Sequence, residues 1–571
     1  MIMIFSIFRN TALFCFMLIA LAGCHTKERT AQVSAEETPL NILWISCEDI
    51  SPRLGCYGDP VARTPNIDRL ASEGMRFTNL HATAAVCAPN RSAIITGMYQ
   101  TSIGSHHMRT THRGRTGELP TPYAAVPPHY VKTFTEYMRA HGYYCTNNVK
   151  TDYQFAWPYQ TPFTAWDECS NRAHYRNRPD VNQPFFAVFN YTLTHESQTW
   201  QEPEFTDPAG VEVPPYYPDT EKVRKSLARL YDQIARLDTI VGQHLRELEE
   251  EGLAENTVVF FWSDHGDGLP RAKRWPYESG TLMPLIVRWP GKLLQGSVND
   301  QLISSIDLGP TAMSIAGVPV PAHMQGRAFL GPHAAEPRSH VFTARDRFDE
   351  SYDMVRSVRD SRYRYIRNYY PNTPYIVWIP YRNNSPIMQE MYRLDAEDRL
   401  EGPQKIWFSG IRPPEELYDC RTDPHNIQNH AADPAYQGIL SQLSKVLDDW
   451  RAESGDMGEL SEEQMVHSWW PDGVQPKTAR PWFVPNAPGN RGFELIEGDS
   501  VVFEGPVTID LFCATQGASL GIATDEDPES AWKLFTGPIR IAGGTTTFRA
   551  KAIRYGYLES EEVRCTITVL P

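Results

Sequence analysis

Apolar residues recur at steps of three and four through Val223, Leu227, Leu230, Ile234, Leu237, Val241, Leu245 and Leu248. Side chains at that spacing share one face of an α-helix, so a long amphipathic helix is predicted here. Gly252 stops it, and Val258-Val259-Phe260-Phe261-Trp262 follows as a strand apolar on both sides, suited to the middle of a parallel sheet. The same alternation occurs twice earlier. Thr64 and Pro65 make a helix start, with a capping residue and then proline at the first helical position. Ile67, Leu70 and Ala71 supply that helix's apolar face, Gly74 ends it, and residues 75–80 resume as a strand. A helix over residues 132–141, Gly142 and a strand over 143–147 repeat the pattern. Helices alternating with strands predict a doubly wound α/β domain.

Polar residues gather where these strands end. Residues 40–46 lead into Glu48 and Asp49, and residues 143–149 into Lys150. Residues 185–190 lead toward His195, and 258–263 into Asp264 and His265. Ligands of open α/β sheets bind beyond the carboxyl ends of the strands, so neighbouring strands would bring these residues to one crevice.

The later chain changes character. Residues 341–370 are rich in Arg and Tyr, with alternating runs such as 354–358 that suit an antiparallel sheet, and residues 435–450 read as a closing helix. Pro, Trp and Asn crowd residues 468–490, and short β-type runs with Gly and Pro turns follow. The expected organisation is an α/β domain over 39–340, a smaller antiparallel α+β subdomain over 341–465, a linker over 466–491 and a small β-sandwich over 492–571.

The N-terminus changes the picture most. Arg9 precedes an apolar run over residues 11–22, too short for a comfortable membrane span, and Leu21-Ala22-Gly23-Cys24 follows. Small residues directly before a cysteine resemble the bacterial lipobox. That resemblance implies a signal peptide over 1–23, lipidation of Cys24, a polar tether over 24–38, and an exported protein held to a bacterial outer membrane, periplasmic or at the cell surface. The formal net charge of -15 argues against general nucleic-acid binding, which wants a basic face. Of the 10 cysteines none forms a CxxC pair; Cys513 and Cys565 are placed where they could form a disulfide.

The most informative stretch is Cys87-Ala88-Pro89-Asn90-Arg91, continuing to Thr96-Gly97. It resembles the C-x-P-x-R signature of the type I sulfatases, read by a maturation enzyme that oxidises the cysteine to formylglycine. Its company matches in order and spacing: Glu48-Asp49, Thr64-Pro65-Asn66-Ile67-Asp68-Arg69-Leu70, Ser263-Asp264-His265-Gly266, and Glu416-Leu417-Tyr418-Asp419 with Asp423-Pro424. The resemblance covers roughly residues 38 to 452, is closest to the heparan N-sulfoglucosamine sulfohydrolase branch, and implies an alkaline-phosphatase-like mixed sheet. The tail, with Trp532-Lys533-Leu534-Phe535 and Gly556-Tyr557, is similar to the terminal β-sandwich of chitobiase-like glycosidases.

The resemblance implies a sulfatase acting on a sulfated carbohydrate, by ester or N-sulfate cleavage. Glu48, Asp49, Asp264 and His265, with the modified Cys87, would hold one divalent cation; the carboxylate-rich set suits Ca²⁺, with Mg²⁺ and Mn²⁺ as alternatives. Pro89 suits a first helical turn, which puts Cys87 at a helix N-terminus that favours an anion. Arg91 would hold the nucleophile and nearby carboxylates, Lys150 and Lys273 would bind sulfate oxygens, and His195 would protonate the leaving group. Two positions depart from the family: Asp152 stands where a K-x-H histidine is usual, and Glu48 replaces an aspartate. His106, His107 and Arg109 are candidates for the sugar pocket, as are the aromatic residues Trp275, Tyr277 and the tyrosines over 363–375. Two rival readings exist, a phosphodiesterase or phosphonate hydrolase of the alkaline phosphatase superfamily, and a non-catalytic lipoprotein that binds sulfated glycan.

Overall fold

The computed structural model describes residues 39–571 except 112–116, 157–160, 487–494, 497 and 529–530. The lipobox cysteine Cys24, the expected signal peptide and the tether lie outside the described residues. No helix among the described residues is long and apolar enough to cross a membrane.

A nine-stranded sheet forms the centre. In chain order its strands are β1 (Asn41–Cys47), β2 (Met75–His81), β3 (Tyr144–Asn148), β4 (Glu168–Cys169), β5 (Phe185–Tyr191), β6 (Thr257–Ser263), β7 (Leu282–Arg288), β8 (Ser297–Asn299) and β9 (Ile303–Ser304). They lie in the order β4-β3-β5-β1-β6-β7-β2-β8, with β9 also on β2. β1 is central, parallel to β5 on one side and β6 on the other. β6 is fully buried, as its apolar run predicts, but it is parallel to β1 only: its second neighbour, β7, runs antiparallel, which makes the sheet mixed, as the family resemblance implies.

Alternation along β1 explains the layers. Ile42 and Trp44 face one core with Phe186, Phe260 and Phe134. Leu43 and Ile45 face the other with Phe261 and the apolar stripe of the long helix, which spans Glu221–Glu250. That helix buries Leu227, Ile234 and Leu237 completely, as the periodicity predicts. Helices α1 (Pro65–Glu73), α2 (Cys87–Thr96) and α3 (Phe134–Ala140) complete the packing that concerns the site.

A four-stranded antiparallel sheet follows: β10 (Val341–Arg345), β11 (Val355–Arg359), β12 (Tyr363–Asn368) and β13 (Glu415–Asp419). The closing helix runs over Gln437–Ser454. The tail packs a three-stranded sheet and a five-stranded sheet around Ile509, Ile522, Phe548 and Ile567.

The expected linker is partly strand. Trp482–Asn486 pairs antiparallel with Val507–Phe512 and opens the terminal sandwich ahead of residue 492. Its Pro485 is tolerated because this strand is the edge of its sheet. The pairing left open for Cys513 and Cys565 is not made: both are free, and Cys565 packs in the sandwich core. The sandwich seats on α3, where the Tyr555 hydroxyl donates to Glu136 Oε1 at 2.7 Å and Lys132 Nζ donates to the carbonyl of Gly517 at 2.6 Å.

Candidate active site

The parallel strands β3, β5, β1 and β6 end on one crevice. β1 runs out into Glu48 and Asp49, and β6 into Asp264 and His265, all four completely buried. The two strand ends are tied together. The amide of Asp264 donates to the carbonyl of Cys47 at 3.0 Å, and the amide of Asp49 donates to Asp264 Oδ1 at 3.2 Å.

These side chains form a cluster suited to a cation. One donor atom from each of Asp49, Asp264 and His265 lies within 4.8 Å of the others. His265 Nδ1 is 2.9 Å from the carbonyl of Gly266, which turns Nε2 toward Asp49 Oδ1 at 2.8 Å. An imidazole fixed through one nitrogen presents the other as a ligand. The local field favours positive charge: burial opposes it, yet Asp264 and Asp49 lift the imidazole to about 10.

Glu48 supplies the strongest test of fit. Burial pushes its carboxyl above the usual range, and neither oxygen receives an aligned hydrogen bond. Lys150 Nζ stands 2.5 Å from Oε1 and Arg91 Nη2 3.8 Å away, as ion pairs without hydrogen-bond geometry. A buried carboxylate left so under-coordinated is costly unless a further cation meets it. The donor set, three carboxylates and one imidazole, therefore fits a divalent cation.

Cys87 is the first residue of α2 and is 3% exposed. Its thiol interacts electrostatically with His265, which sets it near the carboxylate cluster. Pro89 occupies the helix's first turn, where its missing N–H costs nothing. Two further residues of the same motif anchor the helix to β6. Arg91 Nε donates to Asp264 Oδ2 at 3.0 Å, and Asn90 Nδ2 donates to the carbonyl of Asp264 at 2.5 Å.

The cations flank the cluster on both sides. Lys150 also pairs with Asp152 at 3.2 Å. Lys273 Nζ lies 2.7 Å from Asp49 Oδ2 and 3.2 Å from Glu196 Oε1. His195 stands between them, its Nε2 3.9 Å from Glu48 Oε2 and its side chain 16% exposed. Burial, then the charge of Lys273, holds its imidazole down at about 4. Lys150, His195 and Lys273 thus gather, with Arg91 and Cys87, around Glu48, Asp49, Asp264 and His265.

Four partners escaped the sequence. Asn190, at the end of β5, accepts from Arg91 Nη1 at 2.9 Å and from the Ser46 hydroxyl at 2.7 Å. Glu196 takes both terminal nitrogens of Arg274, at 3.0 and 2.9 Å. Arg274 Nε reaches Asp349 at 3.1 Å. Adjacency to His195 could have flagged Glu196; nothing local marks Asp349.

Several aromatic candidates are core instead. Trp275 and Tyr277 are 2% and 3% exposed, and Tyr365 and Tyr375 are buried too. His106 and His107 are likewise buried. Arg109 alone of that loop's candidates keeps an open side chain, 41% exposed.

A mixed sheet with its polar crevice at the carboxyl ends of the central parallel strands defines an alkaline-phosphatase-like hydrolase fold. The phosphonate monoester hydrolase of Silicibacter pomeroyi shares it, with a TM-score of 0.53 at 18% identity over 74% of this chain and 98% of that one. That likeness shows the fold alone. Residues 40–318 match the sulfatase family model, and residues 270–400 match the N-sulphoglucosamine sulphohydrolase C-terminal model. An ulvan-active sulfatase of Formosa agariphila is 38% identical over 99% of this chain and 99% of its own length. Human N-sulphoglucosamine sulphohydrolase is 27% identical over 77% of this chain and 93% of its own. The chain belongs to the sulfatase family and is a sulfuric ester hydrolase.

Proposed function

We propose that the chain is a formylglycine-dependent sulfatase that removes sulfate from an ulvan-type algal polysaccharide, with Cys87 as the modified residue. The observation that carries this reading is the position of Cys87, buried at the start of α2, the helix whose Arg91 and Asn90 are bonded to Asp264 of the carboxylate cluster. The substrate class comes from the relative that is similar over nearly the whole chain and is named as ulvan-active.

Glu48, Asp49, Asp264 and His265 would hold Ca²⁺, which accepts an oxygen-rich set flexibly. A cation there supplies Lewis-acid polarisation of a sulfate oxygen. Lys150 and Lys273 are placed to take the remaining sulfate oxygens and to stabilise charge as the ester bond breaks. Arg91 fixes Asp264 and leans on Glu48, which keeps the nucleophile's surroundings rigid. His195 is the group that gives a proton to the departing sugar oxygen. Its pKa of about 4 reflects burial and the nearby lysine; a bound sulfate offsets that lysine and raises it toward the working range.

The test is sulfate release from ulvan oligosaccharides, followed by ion chromatography, on protein co-expressed with a formylglycine-generating enzyme. Sulfate release by the parent and none by Cys87→Ala supports the reading. Equal release by both contradicts it. Lipidation at Cys24 and export are part of the same proposal. Labelling with an alkyne fatty acid should mark the parent and not Cys24→Ala.

A further inference from the structure

Arg109 stands at the mouth of the crevice, and its surroundings differ from those of every other arginine in the site. Its Nε donates to Asp349 Oδ1 at 2.8 Å, while Arg274 Nε donates to Asp349 Oδ2 at 3.1 Å, so one buried carboxylate is gripped by two guanidinium groups. Arg274 spends its two terminal nitrogens on the carboxylate of Glu196, at 3.0 and 2.9 Å. The matching pair on Arg109 meets no acceptor among the described residues. One fork is filled from within the protein and its counterpart is open to solvent, with the side chain 41% exposed.

The open fork is held in place. The Arg109 guanidinium lies 5.5 Å from the centroid of the Tyr381 ring. That ring is in turn 6.2 Å from the ring of His195 and 5.2 Å from that of Trp200. Arg109, Asp349 and Arg274 all carry positive φ, at 60, 54 and 77°. Side chains seldom tolerate that conformation, and where they do the strain gathers at functional sites. Arg109 also feels the charge of Cys87 and of Asp152, so it lies within electrostatic reach of the reacting end. Asp152 does not fill the fork; it pairs with Lys150 at 3.2 Å.

We propose that Arg109 is a specificity-determining residue that receives a second anionic group of the substrate, a carboxylate or a further sulfate near the one removed. Two oxygens of a carboxylate or of a tetrahedral oxyanion match a guanidinium fork at once, which supplies geometry as well as charge. Tyr381 and Trp200 are both half-buried and pack on one another, and Tyr381 lies between the fork and His195. The inference rests on the sulfatase reading for its substrate, but the fork itself can be tested without turnover.

Three oligosaccharides of one backbone serve as probes: one with the target sulfate and a uronate, its carboxyl-reduced form, and a reduced form carrying a second sulfate. The parent should favour the anionic probes over the reduced one by on the order of tenfold in kcat/KM, mainly through KM. Arg109→Gln should erase that preference, and Arg109→Lys should keep part of it. Preference for the uronate probe alone identifies a carboxylate as the partner; preference for the second sulfate alone identifies sulfate. Calorimetric binding of the desulfated uronate product is measured in parallel, with tighter binding by the parent than by Arg109→Gln expected. Absence of preference in the parent, or equal loss on all probes in Arg109→Gln, overturns the proposal. If no probe is desulfated the sulfatase reading fails by itself, and equal product binding by parent and variant then overturns the role of Arg109.

Discussion

Lys273 and Asp49 form an ion pair sealed from solvent: Nζ lies 2.7 Å from Oδ2, and the two side chains are 2% and 0% exposed. The same ammonium touches Glu196, so it joins the cation-binding cluster to the Glu196–Arg274–Asp349 chain. Lys273→Met would leave two buried carboxylates short of a partner. Breaking a buried pair from one side costs about 3–5 kcal/mol, read as a fall in urea midpoint. Sulfate release should drop as well, by roughly two to three orders of magnitude in kcat, the scale of losing one preorganised donor. A variant with full activity and unchanged midpoint would show that Lys273 is neither an anchor nor a sulfate ligand.

The carboxylate cluster makes a separate prediction about metal. Calcium at about 100 times its dissociation constant should stabilise the folded parent by about 2.7 kcal/mol, because it binds the native cluster and not the unfolded chain. Chelation should remove both that stabilisation and sulfate release, and Ca²⁺ should restore them. Asp264→Asn should show no rise in melting temperature with Ca²⁺. An unchanged calcium response in that variant would place the cation elsewhere.

Much of this was readable before the structure because the signals are periodic or local. The stripe from Val223 to Leu248 is a helix face, and the residues after four strands converge because those strands are parallel neighbours. What was not readable depends on distant partners. Glu196, Arg274 and Asp349 look like ordinary surface charges until folding buries them against one another. An apolar run such as that of β6 reveals burial on both faces but not the direction of each neighbour, which is why its antiparallel partner β7 was missed. Proline-rich composition likewise concealed the edge strand Trp482–Asn486, since an edge tolerates a proline that an interior strand does not. A shared place in the C-terminal segment left a Cys513–Cys565 pair possible; the fold leaves both free.

Glu278 gives a pH prediction away from the site. Its Oε1 accepts from Arg359 Nε at 2.7 Å and Arg364 Nη2 at 2.8 Å, joining the main sheet's loop to the antiparallel sheet. Burial opposes its charge, but Arg359 and Arg364 outweigh burial and hold the carboxyl well below its usual range. A depressed carboxyl contributes stability that is present above its unfolded value of about 4.3 and is lost as pH falls toward its folded one. Between pH 6 and pH 3.5 the urea midpoint of the parent should therefore fall further than that of Glu278→Gln. Equal falls would mean that this cluster contributes nothing to acid sensitivity.

Cys87 is the side chain on which the proposed reaction depends, and the mass of the tryptic peptide that contains it is the most direct test. Protein matured beside a formylglycine-generating enzyme should yield a peptide lighter than the cysteine form by about 18 mass units, the change from CH₂SH to CHO. A peptide that keeps the full cysteine mass, from a host that matures other sulfatases, would contradict the assignment of Cys87 as the nucleophile's precursor.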